Sequence, residues 1–142
     1  MYFLRDKTQI KIMKLDPAQI ETAFLLAQKT LENQDLPDFI KNRWSRALEK
    51  AKERLTTQPY FAWQPGGLTL LSIPTKKKAE TYCRFYQATG ETCHRVDKLG
   101  YCQAFHEGFP CWHRAAFLLL GLYFGSRVEI HFGKTGEKSV SV

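Results

Sequence analysis

The sequence predicts an α+β fold in which an N-terminal helical hairpin is followed by a mostly antiparallel sheet and a C-terminal helix. Three observations carry this expectation. Two proline-led segments between Asp16 and Leu55 repeat apolar residues every three or four positions. Short apolar runs from Tyr60 to Phe105 are separated by Gly- and Pro-containing turns, and Arg114 to Phe124 is apolar over a helix-length stretch.

In chain order, Tyr2 to Leu15 places Ile10 and Ile12 among charged neighbours, which suits an edge strand or short hairpin. Asp16-Pro17 then supplies an N-cap and a proline at the first helical position, with Glu21 in the early turns. Ile20, Ala23, Phe24, Ala27 and Leu31 give this helix one apolar face, and it ends near Asn33. Leu36-Pro37-Asp38 restarts a helix in the same way. Its stripe is Phe39, Ile40, Trp44, Ala47, Leu48, Ala51 and Leu55, so the two helices pack as an antiparallel hairpin that Pro59 closes.

Tyr60 to Trp63 and Leu68 to Ile73 read as strands joined by the turn Pro65-Gly66-Gly67, with Pro74 closing the second. Tyr82 to Gln87 and Glu91 to Val96 are further strands about Ala88-Thr89-Gly90. Tyr101 to Phe105 extends the meander, and Arg127 to Phe132 is a last strand after a helix stopped by Gly125. The 142 residues suit one compact domain, with a helical part over 1–59 and a sheet part over 60–142 whose Cys/His knuckle lies at about 92–120.

No apolar run reaches the ~20 residues that span a bilayer, and the N-terminus lacks a signal-peptide apolar core, so the expectation is a cytoplasmic protein without a membrane partner. In a reducing compartment, thiols pair with metals more readily than with one another. Three of the four cysteines and three of the four histidines fall between Cys93 and His113. Cys111 and His113 sit where a loop closed by Gly108 and Pro110 meets the C-terminal helix. Composition and spacing allow a zinc site; they equally allow Cys102 and Cys111 to be small buried apolar residues and His113 to pack the helix.

The run Tyr101-Cys102-Gln103-Ala104-Phe105, followed by Gly108-Phe109-Pro110-Cys111-Trp112-His113-Arg114-Ala115-Ala116, resembles the second half of a SWIM-type zinc finger over roughly a quarter of the chain. That family joins a Cys-x-Cys strand, a short loop ending in Gly-x-Pro and a Cys-x-His at the start of an Ala-rich helix. The resemblance implies zinc as the cofactor, Cys102, Cys111 and His113 as ligands, and DNA or protein as partner. Gly100 stands where the family has its first cysteine, so one ligand comes from elsewhere or the site has decayed. If 92–96 and 101–105 pair about Asp97-Lys98-Leu99-Gly100, Cys93 lies diagonal to Cys102 on one face and ranks first. His106 follows, and Cys83, one strand further out and roughly 10 Å away, ranks last.

The net charge of +7, from 21 basic and 14 acidic residues, favours a polyanionic partner, with DNA ahead of RNA given the SWIM resemblance. Lys76, Lys77, Lys78, Arg95 and Arg114 are the phosphate contacts expected first, although a lysine run can equally solubilise a turn. The second helix also carries Lys41, Arg43, Arg46, Lys50, Lys52 and Arg54, which Asp38, Glu49 and Glu53 make more readily an ordinary solvated face. Trp112, between two proposed ligands, is the aromatic expected to face outward. A protein-interaction adaptor is the alternative. An enzyme is not expected, and a zinc hydrolase with Glu107 as base ranks third because it needs an open coordination position.

Overall fold

The computed structural model describes residues 11–12, 14–57, 60–72, 84–95, 102–125 and 132. The Lys76-Lys77-Lys78 run, Cys83 and the proposed strand at 127–132, apart from Phe132, lie outside these residues. Element order is β1 (Lys11–Ile12), α1 (Pro17–Glu32), α2 (Asp38–Thr57), β2 (Tyr60–Gln64), β3 (Gly67–Ser72), β4 (Arg84–Ala88), β5 (Cys93–Arg95), α3 (Gln103–His106) and α4 (Trp112–Tyr123). The class is α+β, as its sequence predicts.

The start of α1 follows from its capping chemistry. Asp16 adopts an extended backbone and its carboxylate accepts the Gln19 N–H at 2.9 Å, while Pro17 occupies a position whose N–H would have no partner. Ile20, Ala23, Phe24, Ala27 and Leu31 are buried on α1, and Ile40, Trp44, Ala47, Leu48, Ala51 and Leu55 on α2. These are the two predicted stripes with one exception: Phe39 is exposed. It sits a full residue round from Ile40, on the outer side of the helix.

All strands pair antiparallel in the order β1–β2–β3–β4–β5. Register places side chains in rows across the inner face. Phe61 stands opposite Leu70, Leu70 opposite Tyr86 and Tyr86 opposite Arg95; Trp63, Leu68, Ala88 and Cys93 form the neighbouring row. Because side chains alternate across a strand, Cys93 is carried to the inner face at the far end of an otherwise apolar row.

Helix α4 is the middle layer. It packs on α1 and α2 on one side and on β3 and β4 on the other, and every residue from Trp112 to Gly121 is buried. A helix apolar all round is the sequence pattern such a position requires. Leu118, Leu119 and Leu120 join Trp44, Leu48 and Leu55 in one core, each such side chain stabilising by about 1.5–3 kcal/mol. Long-range hydrogen bonds help fix its position: the Trp63 indole donates to the Phe117 carbonyl at 3.2 Å, and the Asp16 N–H donates to the Tyr123 hydroxyl at 2.8 Å. Gly125, with φ 67°, follows the last turn, in keeping with its expected stop.

Candidate metal centre

Three elements bring the cysteines together. Strand β5 supplies Cys93. Cys102 precedes α3, and its carbonyl accepts the His106 N–H at 2.9 Å. The expected strand at Tyr101–Phe105 is therefore replaced, over 103–106, by one helical turn. Its end explains why: Gly108, at φ 89°, donates to the Phe105 carbonyl at 3.0 Å, and Phe109 donates to the Ala104 carbonyl at 2.8 Å. This bond pair, with glycine in the left-handed region, closes a helix and reverses the chain. Pro110 then leads into Cys111, the N-cap of α4, whose Sγ accepts the Arg114 N–H at 3.4 Å. His113 lies in the first turn.

The donor atoms of Cys93, Cys102, Cys111 and His113 all lie within 4.8 Å of one another, all four side chains are buried, and together they could hold a metal ion. His113 Nδ1 is 3.6 Å from Cys93 Sγ and 3.7 Å from Cys102 Sγ. Bonds of about 2.3 Å to sulfur and 2.0–2.1 Å to nitrogen in a tetrahedron put a nitrogen and a sulfur about 3.6 Å apart, so these two pairs fit. The imidazole is held in place by its neighbours: Tyr86 stacks on it at 3.9 Å with 19° between planes, and Trp112 lies at 4.4 Å. The three cysteines are free thiols. His106 is exposed on α3 and stands apart from the cluster, and Glu107 is exposed in the turn that follows.

Electrostatics divide the thiols. Hydrogen bonds from Cys111 and then Cys93 pull the Cys102 pKa well down, so Cys102 is the thiolate of the group. The hydrogen bond to Cys102 pushes the Cys93 thiol up, and burial pushes Cys111 up to about 12. Burial lowers the His113 pKa and keeps its imidazole neutral, the form that binds metals.

Arg114 corrects one expectation. It is only 1% exposed, so it is not placed to meet a phosphate outside the protein. Its Nη2 and Nε donate to the Gly90 carbonyl at 2.9 and 3.2 Å, its guanidinium lies 4.9 Å from the Trp44 ring centroid, and Nη1 is buried without a hydrogen-bond partner among the described residues. Burial lowers its pKa, while Cys111, Cys93 and Cys102 act the other way. The guanidinium stays charged, and the opposite charges acting on it are the thiols and then Glu91. Trp112 is likewise buried, with the Arg54 guanidinium 5.6 Å from its ring centroid, in place of the outward position expected. Arg95 is half-buried on β5.

Sequence reasoning set aside the basic residues of α2, yet three of them border the centre. A cleft of about 350 Å³ is lined by Arg43, Arg46 and Lys50 together with Cys102, Cys111 and His113. Burial, and then Arg54, lowers the Lys50 pKa. The available signal was the spacing of 43, 46 and 50, which puts all three on one helix face. Compared with protein-family models, with curated proteins and with solved structures, the chain matches none of them.

Proposed function

We propose that the chain is a structural zinc-binding module, with Cys93, Cys102, Cys111 and His113 holding one zinc ion, and that it contacts nucleic acid. The observation that carries the metal half is the buried set of three sulfurs and one imidazole nitrogen within 4.8 Å of one another, with the nitrogen 3.6 and 3.7 Å from two of the sulfurs. Thiolates with imidazole favour zinc over the oxygen-seeking magnesium and calcium. Charge balance supports a divalent ion: three thiolates and a neutral imidazole around it leave one net negative charge, which the buried Arg114 guanidinium offsets. In the resemblance to SWIM fingers, Cys93 would stand in for the cysteine that Gly100 replaces.

The ion's role in this reading is to tie β5, the loop before α3 and the start of α4 into one unit. Four protein donors complete a tetrahedral shell, so a hydrolytic role, which needs an open position, is disfavoured. The nucleic-acid half rests on the net charge of +7 and on the cationic cleft beside the centre. A protein-interaction adaptor is the alternative, and binding with little salt dependence would favour it.

Metal content by mass spectrometry tests the centre. One zinc per chain is expected in the wild type and in His106→Ala, and none in Cys93→Ser. Metal-free, normally folded protein from a chelator-free preparation would end the reading and leave the knuckle as a packed scaffold.

A further inference from the structure

Two observations single out the cleft between α2 and the knuckle. Its cations are Arg43, Arg46 and Lys50, and no carboxylate lines it among the described residues. All three cations are exposed on the helix surface, and only Arg43 has an evident structural occupation, its guanidinium lying 3.9 Å from the Phe109 ring centroid. Seven residue steps separate Arg43 from Lys50, about 10 Å at 1.5 Å per residue. At 100° per residue, Glu49 and Glu53 fall on the solvent side of the row, where Glu53 pairs with Arg54 at 3.6 Å. Each acid nevertheless lies three residues beyond one of the row's cations, and Glu53 acts on Lys50, so the row turns its cations to the cleft while its outer edge is partly neutralised.

We infer that the Arg43–Arg46–Lys50 cleft binds successive phosphates of a single nucleic-acid strand. This deepens the nucleic-acid half of the proposed function and does not depend on which metal fills the centre. A line of charges suits a strand better than a single small anion, which is bound by groups converging on one point. A recess of about 350 Å³ is at the small end of ligand sites and admits one strand at a time. The bordering aromatics are poorly placed for base stacking: Trp112 is buried with His113 and Arg54 beside its ring, and Arg43 lies over one face of Phe109. Contact is therefore with the backbone and is indifferent to base identity.

The test uses the full zinc-loaded chain and fluorescently labelled oligothymidylate, titrated over a range of salt. Each phosphate contact on a single strand contributes about −0.7 to the slope of log K against log salt, so Arg46→Gln/Lys50→Gln should flatten that slope by about 1.4. The same loss of charge in Lys29→Gln/Lys52→Gln, away from the cleft, should leave it unchanged, and oligoadenylate should bind within a few-fold of oligothymidylate. Zinc content measured on each sample reads the metal centre separately, so slope loss in metal-free protein would keep this inference and reject the zinc. An unchanged slope in the cleft variant, or no binding of the strand, overturns the inference. So would equal binding of polyglutamate, which points to an acidic protein, or displacement of the strand by millimolar inorganic phosphate, which points to a small-anion site.

Discussion

The helical core and the knuckle core meet along α4 but are held by different physics. In the first, Ile20, Leu31, Trp44, Leu48, Leu55 and Leu118 to Leu120 bury large apolar side chains between α1, α2, α4 and the sheet. In the second, Tyr86, Ala88, Cys93, Cys102 and Cys111 enclose a small volume in which three of five residues are thiols. Apolar burial scales with area, and so few small side chains bury little. The knuckle thus needs another source of cohesion, and its four donors could supply one by holding a metal ion.

If the centre holds zinc as proposed, removing the ion gives the largest expected effect. Structural zinc contributes apparent binding energies of about 10–16 kcal/mol in isolated fingers. Chelation should therefore abolish amide-exchange protection over 86–95 and 102–110 while the interior amides of α1 and α2 stay protected. Loss of both together would show one cooperative unit and break the comparison. Acid should act in the same direction as chelator. Cys93 and Cys111, raised by the Cys102 hydrogen bond and by burial respectively, hold their protons at neutral pH, and metal must displace them. With about two protons released per ion, affinity should fall about 100-fold for each pH unit downward, measured by chelator competition.

Leu48→Ala addresses the other side. A fully buried leucine cut to alanine costs about 2–5 kcal/mol, read from denaturant melts, and zinc content should not change. Arg114→Met lies between the two cores. Loss of the countercharge should weaken zinc affinity by about 10–100-fold, the range for groups that support metal ligands, with partial recovery in Arg114→Lys. If affinity is unchanged, Arg114 serves packing on Trp44 alone. The smallest effect is expected for Tyr123→Phe, about 0.5–1.5 kcal/mol from the bond with Asp16, equal with and without metal.

Much of this was legible in the sequence where local chemistry decides structure. Asp16-Pro17 and Pro37-Asp38 mark the starts of α1 and α2, and the apolar spacings name nearly all of their buried residues. Alternation placed Cys93 on the same side as Cys102, although the hairpin invoked for it is not the one formed: β5 pairs with β4, and Ala88 stands opposite Cys93. The turn at 103–106 was missed because five residues of mixed polarity do not separate a strand from one helical turn. Gly108 with Pro110 two residues on is, however, a helix-ending signature. Arg114 was misread for a deeper reason. A charge beside an apolar run is ordinarily at the surface, and only the stacking of α4 between two layers puts it inside.

The bond from Asp16 to Tyr123 has a consequence for how the protein is made. The first residue of the α1 cap is finished by a hydroxyl near the end of the described chain, and the apolar faces of α1 and α2 are covered by the same late helix. On the ribosome, α4 is complete about 66 residues after α2, roughly 3–13 s later at 5–20 residues per second. Through that interval the hairpin of α1 and α2 presents Trp44, Leu48 and Leu55 without their partner layer. Slowing translation before Trp112 should lengthen that exposure.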